Sequence, residues 1–131
     1  MTQILVAEDD PGARLVAETC LTEAGYQVLT ASDGKMALQL IREQRPRIVL
    51  LDIMMPRMHG FAALQEIRAD PDLRDIYVIM VSAKSYPADI QKAMDLGAND
   101  YLIKPYKANE LRKKIQTALQ TRQDPSQNSS G

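Results

Sequence analysis

Short apolar runs alternate along the chain with segments whose apolar residues recur every three or four positions. The runs at residues 4–7 and 48–51 are apolar throughout, as expected of parallel strands that are buried on both faces. Segments at residues 27–30, 76–81 and 101–103 complete the set of predicted strands, and helical spacing fills the intervals between them. Five β-α units result, which predicts an α/β fold with a parallel sheet and helices on both of its faces.

Residues typical of helix starts and helix ends lie at the boundaries of the predicted helices. Asp10-Pro11 supplies a capping side chain and a proline suited to the first helical position, and Gly25 is placed to end the same helix. Asp33-Gly34 opens the second helix in a similar way. The spacing predicts one buried face for the first helix, made of Ala13, Val16, Ala17, Cys20, Leu21 and Ala24.

Length and charge narrow the class of protein. The 131 residues suit one domain, and 16 basic against 17 acidic residues leave a net charge of -1, which argues against nucleic acid as a direct partner. The single cysteine, Cys20, excludes an internal disulfide. The first apolar run is too short for a signal peptide or a membrane span, so we expect a cytoplasmic protein without membrane contact.

A change of composition marks the end of the predicted domain. From residue 123 the chain continues as a polar segment rich in serine and asparagine, which cannot build an apolar core. We therefore expect one domain over residues 1–122. Residues 123–131 are interpreted as a disordered tail, the remnant of a linker or sequence added for expression.

Reactive side chains follow directly after four of the predicted strands. Glu8 and Asp9 follow the first, Asp52 the third, Ser82 the fourth and Lys104 the fifth. The carboxyl ends of parallel strands share one edge of a sheet, where open α/β folds bind their ligands. Each residue alone has an ordinary explanation as a turn or surface residue, but those explanations do not account for the whole set.

Three carboxylates at one edge require compensation. At short range they repel strongly, so one of them must take up a proton unless a cation is bound. Mg²⁺ suits a site that offers a few carboxylates together with waters and a phosphate, and Lys104 adds a fixed positive charge. A nucleophilic carboxylate, a metal, an ammonium and the Ser82 hydroxyl together favour the binding of a phosphoryl group.

Four motifs give the chain its resemblance to a known family. They are residues 4–11 (ILVAEDDP), 49–60 (VLLDIMMPRMHG), 81–83 (VSA) and 97–106 (GANDYLIKPY). In this order and at these strand ends they resemble the receiver domain of bacterial two-component response regulators, the family of the single-domain chemotaxis regulator. The resemblance extends from Ile4 to about Leu119. It implies a doubly wound, flavodoxin-like (β/α)5 fold with the strand order 2-1-3-4-5.

The resemblance also implies a role for each site residue. Asp52 would accept the phosphoryl group from a phosphohistidine. Mg²⁺, with Mn²⁺ as an alternative, would be bound by Asp9, Asp52 and the backbone carbonyl of Met54, with Glu8 acting through a metal-bound water. Lys104 would pair with Asp52, and its peptide bond to Pro105 would be cis.

Activation in this family implies a switch. Ser82 would turn toward the phosphoryl group, and Tyr101 would move inward into the space that Ser82 vacates. The motion would remodel the face made by the fourth helix, fifth strand and fifth helix. Upstream the implied partner is a sensor histidine kinase or a histidine phosphotransfer protein. Downstream it is an unidentified target or a fused output domain, and a homodimer on phosphorylation is a further expectation.

Three other functions are alternatives to this one. A phosphatase of the haloacid dehalogenase class would need a second aspartate two residues after Asp52, where this chain has Met54, so we do not expect a metabolic enzyme. A flavodoxin-like electron carrier would need a phosphate-binding loop in place of the acidic residues at 8–10. A pseudo-receiver that binds partners without phosphorylation stays open as the alternative, although such proteins typically lose one of the site residues retained here.

Overall fold

The computed structural model describes residues 1–123, with side chains through residue 121, and in this range five strands alternate with five helices. The strands are Gln3–Ala7 (β1), Gln27–Ala31 (β2), Ile48–Asp52 (β3), Tyr77–Ser82 (β4) and Asp100–Ile103 (β5). The helices are Pro11–Glu23 (α1), Gly34–Gln44 (α2), Gly60–Ala69 (α3), Pro87–Asp95 (α4) and Ala108–Gln123 (α5).

The strands pair in parallel in the order β2-β1-β3-β4-β5, which confirms the predicted topology. Leu5 faces Val49 of β3 across the first central pair, and Leu51 faces Met80 of β4 across the next. The chain order reverses direction between β1 and β3, so the crevice outside their carboxyl ends is the expected place for a ligand.

Alternate residues of the central strands feed two separate cores, one on each face of the sheet. Leu5 and Leu51 point into the core covered by α2, α3 and α4. Ile4 and Leu50 point into the core covered by α1 and α5. Because both faces are buried, every residue of β3 and β4 is buried, which explains the uninterrupted apolar runs in the sequence.

The predicted helix signals operate as expected at α1 and α2. Asp10 caps α1 by accepting a hydrogen bond from the amide of Ala13 at 2.9 Å, and Gly25 follows the helix with a φ of 96°. Asp33 caps α2 by accepting from the amide of Met36 at 2.8 Å. These caps fix where the loops after β1 and β2 end.

The predicted buried face of α1 was wrong in part. Ala17 and Leu21 are buried, but Val16 is 64% exposed and Ala24 also lies at the surface. Helical spacing allows a wide apolar stripe, whereas the contact of α1 with the sheet and α5 covers only its centre.

The structure does not test the boundary predicted at the end of the domain. Residues 124–131 lie outside the described residues and Gln123 is the last residue of α5, so the boundary at residue 122 and the predicted tail stay predictions.

Among residues 1–123, none of the helices combines the length and the apolar character that crossing a bilayer requires.

Candidate active site

The fold brings the reactive residues predicted from the sequence to one edge of the sheet. Asp52 is the last residue of β3 and Ser82 the last residue of β4, and they are only 4% and 2% exposed. Glu8, directly after β1, is also buried, whereas its neighbour Asp9 is exposed. Lys104 follows β5 and is linked to Pro105 by a cis peptide bond, as the resemblance implied.

Three carboxylates form a compact group beside the end of β3. One oxygen each from Glu8, Asp9 and Asp52 lies within 4.8 Å of the others, a spacing that a single bound cation could bridge. All the donors are oxygen atoms, two of the three residues are buried and the third is open to solvent. This donor set fits Mg²⁺, which prefers carboxylates and retains several of its own waters.

The two oxygens of Asp52 have different partners. Oδ1 accepts a hydrogen bond from the backbone amide of Met54 at 3.0 Å, and Oδ2 accepts one from the Lys104 ammonium at 2.7 Å. These bonds hold the carboxylate in one orientation without covering it completely. The side chain of Met54 is 56% exposed and brings no acid or base to the site.

Lys104 joins two of the carboxylates. Its Nζ lies 2.5 Å from Oε1 of Glu8 and 2.7 Å from Oδ2 of Asp52. Burial alone would lower the pKa of Lys104, but its hydrogen bonds to Asp52 and Glu8 raise the pKa above its usual value. The ammonium therefore stays charged and partly neutralises the acidic group.

Glu8 is the residue whose protonation is most perturbed. Burial, followed by the hydrogen bond and negative charge of Asp52, raises the pKa of Glu8 to about 7, even though Lys104 acts in the opposite direction. Without a bound cation, the Glu8 carboxylate is therefore protonated in a substantial fraction of the molecules at neutral pH.

We expect the metal-free protein to lose stability as pH rises from 6 to 8. The pKa of Glu8 is higher in the folded state, about 7, than its ordinary value of 4.5, so the folded protein binds this proton more tightly. The bound proton stabilises the fold fully below pH 4.5, and this stabilisation is lost as pH rises through about 7. Chemical denaturation in EDTA should show a free energy of unfolding lower by about 1 kcal/mol at pH 8 than at pH 6.

The matched control is Glu8→Gln, which cannot titrate. Its free energy of unfolding should change less over the same interval than that of the native protein. Equal changes in both proteins would show that the proton on Glu8 is not responsible.

Ser82 and Tyr101 both bind the backbone of Lys84, in the loop that follows β4. The Ser82 hydroxyl oxygen accepts a hydrogen bond from the Lys84 amide at 3.1 Å, and the Tyr101 hydroxyl donates one to the Lys84 carbonyl at 2.9 Å. Tyr101 is buried, and its movement on activation stays a prediction. Any movement of Ser82 is thereby connected to Tyr101 through one peptide segment.

The loop between Asp52 and α3 folds back closely on the strand it leaves. The amide of Gly60 donates to the carbonyl of Ile53 at 2.8 Å. A Cβ atom on Gly60 would lie 2.4 Å from the backbone oxygen of Asp52, closer than any side chain can approach. The glycine is therefore required for the loop to position the carboxylate.

Several residues around the site were missed in the sequence analysis. The Arg14 guanidinium donates to the backbone carbonyls of Glu8 and Asp9, at 2.9 and 3.5 Å. Arg57, with a φ of 70°, places Nη1 3.6 Å from Asp33. An arginine that binds loop carbonyls has no spacing or motif of its own, and only the loop coordinates show what it contacts.

Comparison with known proteins gives a consistent result. The chain matches the model of the Response regulator receiver domain over residues 4–116. The probable transcriptional regulator ycf27 of Guillardia theta is 41% identical over 117 residues, which are 89% of this chain and 45% of that protein. The chain therefore spans about half the length of the curated relatives it matches.

Solved structures show the same fold. The chemotaxis response regulator CheY4 of Vibrio cholerae has a TM-score of 0.86 at 29% identity, and the match covers 90% of this chain and 98% of that one. NtrX of Brucella abortus has a TM-score of 0.88 at 32% identity, with 97% of this chain matched to 29% of that chain. With its sheet order and these similarities, the chain belongs to the receiver domain family of two-component response regulators.

Proposed function

We propose that Asp52 is the phosphoacceptor of this receiver domain. The observation that carries the proposal is the pairing of Asp52 Oδ2 with the Lys104 ammonium at 2.7 Å, at a strand end where a carboxylate would otherwise be buried without a cation. Asp52 is the only carboxylate among residues 1–121 that is the last residue of a strand and contacts Lys104.

The reaction uses a small set of groups. A carboxylate oxygen of Asp52 attacks the phosphorus of a phosphohistidine, an acyl phosphate forms, and the nitrogen–phosphorus bond breaks so that the imidazole leaves with the bonding electrons. The Lys104 ammonium is placed to move from the carboxylate to the phosphoryl oxygens, and the Ser82 hydroxyl can donate to another.

The acidic group fits a resident divalent cation. We assign Mg²⁺, with Mn²⁺ as an alternative, to Asp9, Asp52 and the backbone carbonyl of Met54, with Glu8 acting through a water. When bound, the cation offsets negative charge on the transferred group. Support comes from the mutual spacing of the three carboxylates and from their all-oxygen chemistry.

The domain is proposed to catalyse only its own phosphorylation and dephosphorylation. A phosphatase that acts on external esters would need a general acid near Asp52, and the exposed Met54 side chain has no such group. A pseudo-receiver is the second candidate, but the site residues Glu8, Asp9, Asp52 and Lys104 are all present and close together, which favours phosphorylation.

Phosphorylation is proposed to act through the segment that connects Ser82, Lys84 and Tyr101. If Ser82 turns toward the phosphoryl group, it gives up its bond with the Lys84 amide, and the Lys84 carbonyl holds the hydroxyl of Tyr101. A two-state segment of this kind transmits a local charge change to the surface of α4, β5 and α5.

The partners follow from the family and from the length of the relatives. We propose a sensor histidine kinase or a histidine phosphotransfer protein as the donor, and an output protein or fused output domain as the target. The curated relatives are about twice as long as this chain, which is consistent with a fused domain. A homodimer on phosphorylation, the absence of direct contact with nucleic acid or membrane, and a cytoplasmic location complete the proposal.

A protein donor must also cover the rim of the site, where α1 offers an apolar surface. Leu15 and Val16 are 61% and 64% exposed. Val16 lines a groove of 380 Å³ together with Pro105 and Tyr106, and Lys104 lines it as well. An exposed apolar patch beside a reaction centre favours protein contact.

We expect Val16→Glu to lower phosphotransfer from a histidine kinase about tenfold or more, because a charge would be buried against the donor. Phosphorylation by acetyl phosphate should stay at the native rate, since this small donor needs no docking surface. The measurement compares both rates, using a kinase that phosphorylates the native protein. An equal loss with both donors would show that Val16 affects the site itself.

The experiment that tests the proposed function is intact mass spectrometry after incubation with acetyl phosphate and Mg²⁺. One added phosphoryl group, mapped to Asp52 and absent when EDTA is present, would support the proposal. No adduct at early or late times would favour the pseudo-receiver. Continued release of phosphate from a generic phosphomonoester would favour the phosphatase instead.

A further inference from the structure

Arg14 contacts three successive carbonyls in the loop that carries Glu8 and Asp9. Its guanidinium Nη1 donates to the carbonyl oxygen of Glu8 at 2.9 Å and lies 3.5 Å from that of Asp9. Its backbone amide donates to the carbonyl of Asp10 at 2.9 Å, as the first turn of α1 requires. One residue on α1 therefore contacts the carbonyls of all three residues between β1 and the helix.

The remaining restraints on this loop leave Asp9 dependent on Arg14. The Glu8 amide donates to the carbonyl of Ala31 at 3.0 Å, and the Asp10 amide donates to Oε2 of Glu8 at 3.3 Å. Both bonds hold the residues on either side of Asp9. Within residues 1–121 the exposed Asp9 carboxylate has no hydrogen bond of its own, so its direction is set by the backbone that Arg14 holds.

We propose that Arg14 is a positioning residue for the divalent cation, which directs the Asp9 carboxylate toward Glu8 and Asp52 by holding the carbonyls of the loop. This inference rests on the proposed function, because it assumes that the carboxylates bind a cation. Groups that orient metal ligands typically contribute about 10-fold to 100-fold in metal affinity.

Geometry and charge make opposite predictions for Arg14, which makes the proposal testable. As a positive charge near the carboxylates, the guanidinium would repel a second cation, so its removal would tighten binding of Mg²⁺. As the group that orients the loop, it would favour binding, so its removal would weaken it. Both carbonyl contacts come from Nη1 of Arg14, and a lysine side chain ends one bond short of that position, so its ammonium keeps the positive charge but lies farther from the two carbonyls.

The experiment measures the dissociation constant of Mg²⁺ by isothermal titration calorimetry on the native chain, Arg14→Met and Arg14→Lys. We expect affinity to fall about 10-fold in Arg14→Met and by a smaller factor in Arg14→Lys. Arg42→Met is the matched control, since Arg42 is an exposed arginine on α2 that pairs with Glu66. Its Mg²⁺ affinity should equal that of the native chain.

A second readout separates positioning from a direct role in phosphoryl transfer. In Arg14→Met the Mg²⁺ concentration that gives half-maximal phosphorylation by acetyl phosphate should rise, while the rate at saturating Mg²⁺ stays close to native. Native or tighter Mg²⁺ binding in Arg14→Met would overturn the proposal, and so would a lower maximal rate with an unchanged half-maximal concentration.

Two outcomes keep the tests distinct. If Arg14→Met does not fold, Arg14→Lys decides the question alone, because native affinity in that variant would show that the reach of the guanidinium to the two carbonyls is not needed. If the native chain itself binds no Mg²⁺, the metal site of the proposed function fails and the inference fails with it. If the native chain binds Mg²⁺ and the Arg14 variants bind it with the same affinity, only the role proposed for Arg14 is contradicted.

Discussion

Asp52→Asn is expected to abolish phosphoryl incorporation while the fold is retained. The substitution keeps the shape of the side chain but replaces a carboxylate with an amide, which is a poor nucleophile. An amide oxygen can still accept the bond from the Met54 amide, which Asp52 Oδ1 accepts at 3.0 Å. Removing a negative charge also relieves repulsion with Glu8, whose pKa Asp52 helps to raise. Thermal unfolding should therefore show a stability equal to or above that of the native protein.

Asp33→Asn is the matched control for this prediction. Asp33 is a second buried aspartate near the same edge of the sheet, and its Oδ1 caps α2 at the Met36 amide. Asparagine caps helices as well as aspartate does, so this variant should fold and take up one phosphoryl group. A full adduct in Asp52→Asn would assign phosphorylation to another carboxylate, and peptide mapping would identify it.

The parallel sheet could be predicted because strands buried on both faces leave an unambiguous pattern, whereas the strand order came from the family resemblance. The run at residues 48–51 has no polar residue, and all of β3 is buried. The caps at Asp10 and Asp33 follow from local chemistry alone. The exposure of Val16 was missed because it depends on how much of α1 its neighbours cover, which is a property of the tertiary packing rather than of the helix.

The candidate site likewise contains residues that the sequence could predict and contacts that it could not. Its carboxylates and Lys104 stand at strand ends, and strand ends can be located from the apolar runs. The contact between Lys104 and Glu8, the bonds of Ser82 and Tyr101 to Lys84, and the contacts of Arg14 involve loop atoms. Loop carbonyls and amides are the same in every residue, so no sequence pattern identifies which of them a side chain will bind.

Lys104→Met should slow phosphorylation and strengthen Mg²⁺ binding at the same time. The ammonium lies 2.5 Å from Glu8 and 2.7 Å from Asp52, so it competes with a cation for both carboxylates. Its removal leaves their negative charge to the metal and should lower the dissociation constant of Mg²⁺. The same removal deprives the transferred phosphoryl group of a fixed positive charge, which typically costs about 10²-fold to 10³-fold in rate.

Slower phosphorylation together with tighter Mg²⁺ binding would distinguish a catalytic role of the Lys104 ammonium from a structural one. The rate of adduct formation with acetyl phosphate is measured at saturating Mg²⁺, and the Mg²⁺ affinity by calorimetry, with Lys107→Met as the control on an exposed lysine three residues away. A residue that only holds the loop in place would, when removed, weaken metal binding and slow the reaction together. A native rate in Lys104→Met would contradict its assignment, because the fixed positive charge 2.7 Å from Asp52 would then contribute nothing to phosphoryl transfer.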